Sequence, residues 1–153
     1  MINQKTIASS ALFLVLLAGC AGKELTAVPV NESLDTCDAC HMSVKDNGYA
    51  AEALTANGKV YKFDDIGCLA GYLKGHPDIK PAVVFIQDVS TREWLSAKDA
   101  FYVEAGDVQT PMEFGIHAFK TADAAGFFAK AHPGARALKW KEVSSIERKM
   151  EMN

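Results

Sequence analysis

An aromatic residue, an amphipathic stretch and a His-Pro pair occur twice in this chain with the same spacing. Phe63 precedes His76-Pro77 by thirteen residues, and Phe119 precedes His132-Pro133 by the same thirteen. A helical pattern lies between them and a strand-forming stretch follows in both cases. Either two amphipathic helices resemble each other by chance, or the chain consists of two ββαβ-like halves packed together. We predict the second arrangement, an α+β fold with a pseudo-repeat.

Turn signals and apolar patterns place the individual elements. Tyr49–Leu54 and Val60–Phe63 are rich in strand formers and flank Asn57-Gly58, which predicts a hairpin with a tight turn. Asp64 or Asp65 can cap the helix that follows, and Gly75-His76-Pro77 ends it. Further strands are predicted at Val83–Ile86, Trp94-Leu95, Phe101–Val103, Ile116–Phe119 and Ala137–Val143, with a second helix over Ala122–Ala131. The first half is then expected over residues 34–90 and the second over residues 91–153.

The first twenty residues predict the cellular compartment of the protein. One early lysine, an apolar run over Ile7–Leu17 and the small residues before Cys20 are typical of a secretory signal. The apolar run is too short to span a bilayer as a helix, which takes about 20 residues. Leu17-Ala18-Gly19-Cys20 resembles a bacterial lipobox, which implies that residues 1–19 are cleaved and that Cys20 is acylated. Several acyl chains, palmitate among them, would anchor the protein stably.

We therefore expect a lipidated spacer over residues 20–33 and a domain in the cell envelope, facing the periplasm or the exterior. The formal net charge is −3, and the sixteen lysines and arginines are scattered without runs. Such a chain offers no basic surface for nucleic acid, so we exclude nucleic-acid binding.

Two thiols, an imidazole and a thioether are concentrated in Cys37-Asp38-Ala39-Cys40-His41-Met42. The string Cys-x-x-Cys-His matches the c-type haem attachment signature, with Met112 as a distant axial ligand. A small electron-transfer haem protein is thus one hypothesis, although the polar segment after His41 and the predicted hairpins argue against it. A thioredoxin-like pair requires a helix after the first cysteine, and zinc requires a second pair at ligand spacing; neither pattern is present. A disulfide between Cys37 and Cys40, or from one of them to Cys68, stays open.

Copper(I) suits the remaining pattern better, because this soft ion favours thiolate and thioether ligands. Cys40 and Met42 would lie on one face of an extended segment, with His41 on the other. Met112 is the best candidate for a third donor, since it lies in a loop bracketed by Pro111 and Gly115, where a core methionine is less expected. Cys37 is an auxiliary thiolate or a redox partner of Cys40.

Several separated motifs resemble the NosL family, the membrane-anchored accessory lipoproteins of nitrous oxide reductase. The resemblance runs from about Asp35 to about Lys141. The motifs that carry it are Asp35-x-Cys37-x-x-Cys40-x-Met42-x-Val44, Gly58-Lys59 followed by Phe63-Asp64-Asp65-Ile66-Gly67-Cys68, Trp94, Ala100-x-Tyr102-Val103, and Thr110-Pro111-Met112 with Gly115 and Phe119.

The resemblance implies a copper(I) chaperone, not an enzyme, that passes copper through a membrane transporter complex to nitrous oxide reductase. The family's Cys-x-Met falls on Cys40 and Met42, and its later methionine falls on Met112. Many members have glycine in place of His41, which speaks against haem and against an obligatory imidazole ligand. Cys37 and Cys68 occur in only one branch, so the client enzyme of this chain can differ.

Overall fold

The protein is described here by a computed structural model, which covers residues 24–146. The strands are β1 (Ala51–Thr55), β2 (Val60–Phe63), β3 (Pro81–Gln87), β4 (Trp94–Ser96), β5 (Phe101–Glu104), β6 (Ile116–Phe119) and β7 (Arg136–Leu138), and the helices are α1 (Ile66–Gly75), α2 (Ala122–Ala131) and α3 (Trp140–Val143). None of these three helices has the length and the apolar character that crossing a bilayer requires.

The first sheet is antiparallel, in the order β2-β1-β3-β4. The predicted hairpin is confirmed: β1 pairs with β2, with Leu54 opposite Val60. Its turn holds three residues, because the Thr55 N–H donates to the Lys59 carbonyl at 3.0 Å. Gly58 adopts a φ of +86°, the left-handed conformation that such a loop requires at this position. β4 lies after residue 90, yet it pairs with β3 and extends the first sheet.

The second sheet has the order β6-β5-β7, and both of its pairings are antiparallel. In each half the first strand lies between the second and the third, and the helix connects the second strand to the third. The pseudo-repeat predicted from the spacing is therefore confirmed. The helices also begin alike, since Asp65 caps α1 and Thr121 caps α2.

One core joins the halves. Phe63, Leu69 and Ile86 from the first half are buried in the same cluster as Tyr102 and Ile116 from the second. A backbone hydrogen bond of 2.9 Å from Val89 to Ala118 adds a polar link. A loop that belongs to one half is thereby held rigidly against the other.

The predicted last strand, Ala137–Val143, is wrong in its second part. β7 ends at Leu138, and the chain then turns into α3. Trp140 and Val143 are three residues apart and so face the same way on a helix. Val143 is buried, and the Trp140 ring stacks on Tyr102 with centroids 5.9 Å apart. Tertiary burial therefore selects the helix over an extended strand.

The chain contacts the first sheet before the expected domain start near Leu34. The Val28 N–H donates to Glu52 Oε1 at 2.7 Å, and Val30 packs against the core. Glu52 lies on the central strand β1 and is fully buried. Part of the expected spacer is thus bound to the sheet through a carboxyl group inside the protein.

Burial raises the pKa of Glu52 to about 7. Because the folded protein holds this proton more tightly than the unfolded chain does, stability is greatest below the ordinary pKa of 4.5 and falls as pH rises through 7. We expect urea unfolding to show a loss of about 3 kcal/mol in this window, and Glu52→Gln to remove most of it. Glu93→Gln, in an exposed ion pair with Lys120, should leave the slope as it is. Equal slopes for the wild type and Glu52→Gln would contradict the assignment.

Candidate metal site

The Cys-x-x-Cys motif forms a tight loop on the free edge of β2. An isolated antiparallel bridge between Thr36 and Ser43 closes the loop. Asp38 attaches it to the strand, because its N–H donates to the Lys62 carbonyl at 2.9 Å and its Oδ2 accepts from the Lys62 N–H at 2.8 Å. The loop is therefore an extension of the first sheet and keeps a fixed position relative to α1.

The loop reverses direction at His41, whose φ of +63° lies in the left-handed region. The His41 N–H donates to the Cys37 carbonyl at 2.9 Å, and the Cys37 N–H donates to the Met42 carbonyl at 2.8 Å. The segment is not extended, so the predicted strand-like alternation of Cys40, His41 and Met42 is wrong. Glycine adopts this conformation without strain, whereas a residue with a Cβ adopts it less readily.

Four donor groups meet between this loop and the start of α1. The Sγ atoms of Cys37, Cys40 and Cys68 and a carboxylate oxygen of Asp64 all lie within 4.8 Å of one another. The Cys40 thiol donates to Asp64 Oδ1 at 3.3 Å. Cys68 is the third residue of α1, where the helix dipole favours negative charge. The three cysteines are free thiols, so none of the disulfides left open by the sequence is present within residues 24–146.

The three thiols differ in acidity. A hydrogen bond from Cys68, with backbone N–H groups of Cys40, Asp64 and Ala39, lowers the pKa of Cys37 to about 6. Burial raises the pKa of Cys40 to about 11, and the neighbouring Cys37 and Asp64 add to this rise. The pKa of Cys68 is raised strongly, because its thiol donates to Cys37 and is itself buried. The site stabilises one thiolate, and a bound cation would favour ionisation of the others.

Met42 is exposed to solvent, unlike the cysteines of the cluster. Its side chain is 59% exposed, whereas Cys37 is fully buried and Cys40 is half-buried. Met42 lines a surface cavity together with Asp64 and Pro111. Asp64 thus belongs both to the thiol cluster and to this cavity, and Pro111 brings the second half of the chain to the cavity.

The loop that carries Met112 is fixed on the start of α1. Asp65 Oδ1 accepts from the Gly67 N–H at 2.7 Å, and Oδ2 accepts from the Met112 N–H at 3.1 Å. The Thr110 hydroxyl is a third donor to this carboxylate. The Phe114 ring lies over Gly67 so closely that a Cβ there would come within 2.0 Å of its Cγ. One buried aspartate thus caps the helix and places the Met112 loop.

The two loops that carry the predicted donors both contact the start of α1, at Asp64 and Asp65. The thiol of Cys40 donates to Asp64, Met42 lines the cavity that Asp64 also lines, and Met112 is half-buried in the loop held by Asp65. Cys37 is fully buried and in hydrogen-bond contact with Cys68. Cys20, the expected lipidation site, lies outside the described residues.

Two residues of the site were not predicted as donors. Cys68 was considered only as a possible disulfide partner, because it does not complete a four-ligand zinc set, and Asp64 was one of two candidates for the helix cap. The cap is Asp65, which leaves the Asp64 side chain free to face Cys40. The available signal was topological: Cys68 is in the first turn of a helix that starts where β2 ends, and the cysteine loop lies on the edge of β2.

Comparison with known proteins supports this architecture. A model of the NosL family matches residues 28–147. A comparison with curated proteins found no match. Among solved structures, the chain is similar to the crystal structure of the copper chaperone NosL from Shewanella denitrificans, with a TM-score of 0.67 and 19% identity over 76% of this chain and 94% of that one. At this identity the likeness establishes the fold, whereas the family match spans most of the sequence. The chain therefore belongs to the NosL family, as the sequence motifs predicted.

Proposed function

We propose that this protein is a lipid-anchored metallochaperone that binds copper(I) outside the cytoplasm and passes it to a copper enzyme. Nitrous oxide reductase, reached through its transporter complex, is the recipient we propose from the family. The observation that supports the proposal is that two loops contact the start of α1: Cys40 donates to Asp64, beside the cavity that Met42 lines, and the Met112 N–H donates to Asp65. A solved protein of the same fold is a copper chaperone, which agrees with this assignment.

Copper(I) would be held by Cys40, Met42 and Met112, with Cys37 as a further thiolate. Cys40 supplies the charged ligand, and Asp64 Oδ1, 3.3 Å from its sulfur, is placed to receive the thiol proton when metal binds. The two thioethers favour a soft monovalent ion over zinc. The copper would thus be bound tightly by the Cys40 thiolate, with Cys37 as an auxiliary thiolate, and more weakly by two neutral thioethers.

Release follows from the exposure of Met42. Its side chain reaches solvent beside the cavity that it shares with Asp64 and Pro111. A donor from a partner protein can approach on this side and replace a thioether before the Cys40 thiolate leaves. The ion then passes by ligand exchange and is never free in solution. No oxidation or reduction is required.

Copper(I) titration of the reduced protein against a colorimetric chelator tests the proposal. We expect Cys40→Ser to weaken binding by more than about 100-fold, because losing even a hydrogen-bond partner of a ligand costs about 10- to 100-fold. Met112→Leu keeps the apolar volume and should cost at least about 10-fold. Leu34, exposed near the loop, provides the control Leu34→Ala, which should bind as the wild type does. Unchanged affinity in both ligand variants would overturn the assignment.

The anchor has a separate test. Residues 1–23 lie outside the described part of the chain, so the lipidated Cys20 is proposed from the sequence alone. Membrane fractionation of cells should find the wild type with the membranes and Cys20→Ser in the soluble fraction. Membrane retention of the variant would contradict lipidation at this position.

The structure disfavours the haem alternative. Covalent haem requires both thiols of the motif to face an apolar pocket, but Cys37 is fully buried against Cys68. The cavity beside Met42 is lined by the polar residues Ser43, Lys45, Asn47 and Asp64 as well as by Pro111. The purified protein should accordingly be colourless in the visible, and an intense haem spectrum would reverse this conclusion.

A further inference from the structure

The segment that leads from the proposed lipid anchor to the domain is bonded to a buried carboxyl group. We call residues 28–35 the strap. Glu52 is fully buried on β1, and its Oε1 accepts the Val28 N–H of the strap at 2.7 Å. Its Oε2 has no hydrogen-bond partner within residues 24–146. A carboxylate with an unpartnered oxygen is costly to bury, so lifting the strap to admit water would favour the charged form.

The same strap is bonded to the end of the cysteine loop. The Ser43 hydroxyl donates to the Glu32 carbonyl at 3.1 Å, and the Asp46 N–H donates to Glu32 Oε1 at 3.1 Å. The Val44 N–H donates to the Asp35 carbonyl at 3.0 Å. Lifting the strap would break these hydrogen bonds and loosen the loop.

We infer that the strap is a pH-sensitive latch, which is docked while Glu52 is neutral and is released, together with the cysteine loop, when Glu52 ionises. The inference rests on the proposed function, which makes residues 20–27 the tether to the membrane and the loop part of the copper site. One carboxyl group would then couple the membrane tether to the hold on copper.

The charged groups that face Glu52 from the packed elements are Lys62 and Asp35. Lys62, opposite Glu52 on β2, lowers the pKa of Glu52, and Asp35 of the strap raises it. The Lys62 ammonium donates to the Pro29 carbonyl at 3.2 Å and to the Asp35 carboxylate, so it is engaged by the strap. Phe85, the neighbour of Glu52 on β3, adds no charge.

The sign of the pH effect follows from the burial of Glu52. Burial raises its pKa from 4.5 to about 7. The docked strap therefore holds the proton more tightly than the lifted strap, in which water reaches the carboxyl group. Docking is strongest below pH 4.5, weakens as pH rises to about 7 and changes little above that value. Each pH unit within this window changes the ratio of lifted to docked strap by up to about tenfold.

Hydrogen–deuterium exchange of the reduced full chain in detergent measures the latch directly. After correction for intrinsic exchange rates, protection of residues 28–35 should fall by about 100-fold from about pH 4.5 to about pH 7.5. Protection should stay nearly constant in Glu52→Gln and in Glu52→Met, which has no buried amide, and circular dichroism checks that both variants are folded. Glu93→Gln, in an exposed ion pair with Lys120, should behave as the wild type does.

Copper(I) loading should protect the strap in turn, because coupling between two sites is reciprocal. We expect the loaded wild type to exchange at least about 5-fold more slowly at residues 28–35 at about pH 7.5. Glu32→Ala removes the acceptor of the Asp46 N–H, so copper should protect its strap less, while the pH dependence at Val28 remains.

Two results would overturn the latch and leave the proposed function standing. One is strap protection that does not change with pH or that equals the protection of β5 at every pH, since the second pattern means global unfolding. The other is a strap that exchanges equally fast with and without bound copper. A wild type that binds no copper would instead overturn the proposed function, and the link from the strap to copper with it.

Discussion

Asp65→Ala should lower the free energy of unfolding by about 3 kcal/mol. This carboxylate accepts hydrogen bonds from Gly67, Met112 and Thr110 and is almost fully buried. Alanine leaves these donors without their acceptor at a place that water does not reach. The Met112 loop would lose its attachment to α1, so copper(I) affinity should fall together with stability. Urea unfolding and the chelator titration measure the two effects on the same samples.

The second half of the chain supplies a matched control. Thr121 caps α2 as Asp65 caps α1, but its side chain accepts one N–H, from Ala124 at 3.2 Å, in an exposed position. Thr121→Ala should therefore cost only about 1 kcal/mol and leave copper binding intact. Asp65→Asn separates the two roles, because an amide can still cap the helix but cannot accept from both N–H groups. Equal losses in Asp65→Ala and Thr121→Ala would show that Asp65 is merely a cap.

Gly67→Ala should destabilise the protein by about 1 to 3 kcal/mol, although alanine is the better helix former. The new Cβ would lie 2.0 Å from Phe114 Cγ and within 2.4 Å of both Cδ atoms. The ring must move, and the neighbouring Met112 must move with the loop. We expect a lower melting temperature and a loss of copper(I) affinity of about 10-fold or more.

Gly71→Ala is the natural comparison, because it makes the same change one turn later in α1. No atom lies within 4 Å of a Cβ at Gly71. This variant should gain up to about 1 kcal/mol from helix propensity and bind copper as the wild type does. If Gly67→Ala also gained stability, the close packing of Phe114 on α1 would be wrong.

Much of the fold was predictable because local signals agreed with the tertiary structure. Asn57-Gly58 fixed the hairpin, and the His-Pro pairs marked the ends of α1 and α2. The sequence pattern that contains Phe63 and recurs around Phe119 corresponds to the same strand topology in both halves. The prediction for the region after Leu138 was wrong. The four residues of α3 are helical because Trp140 and Val143 pack against the core, and no local sequence pattern indicates this packing.

The candidate site was predictable in part. Sulfur chemistry pointed to Cys37, Cys40, Met42 and Met112; the structure brings Cys37 and Cys40 together and attaches the Met112 loop to the start of α1. Cys68 and Asp64 were harder to assign, because their relation to the motif depends on how β2 leads into α1. The conformation of His41 was hard to predict for a similar reason. Its left-handed backbone, which sets the direction of the neighbouring residues, is a property of the folded loop.

In the proposed site the ligands come from both halves of the pseudo-repeat: the thiols from the first ββαβ unit, and the distant thioether from the loop that precedes the second helix. The copper ion can have all of these ligands only while the two units stay docked. Metal binding and the docking of the two units are consequently linked, so a bound ion raises the free energy needed to separate the units. A recipient that loosened this docking would weaken the hold on the ion without touching the metal itself.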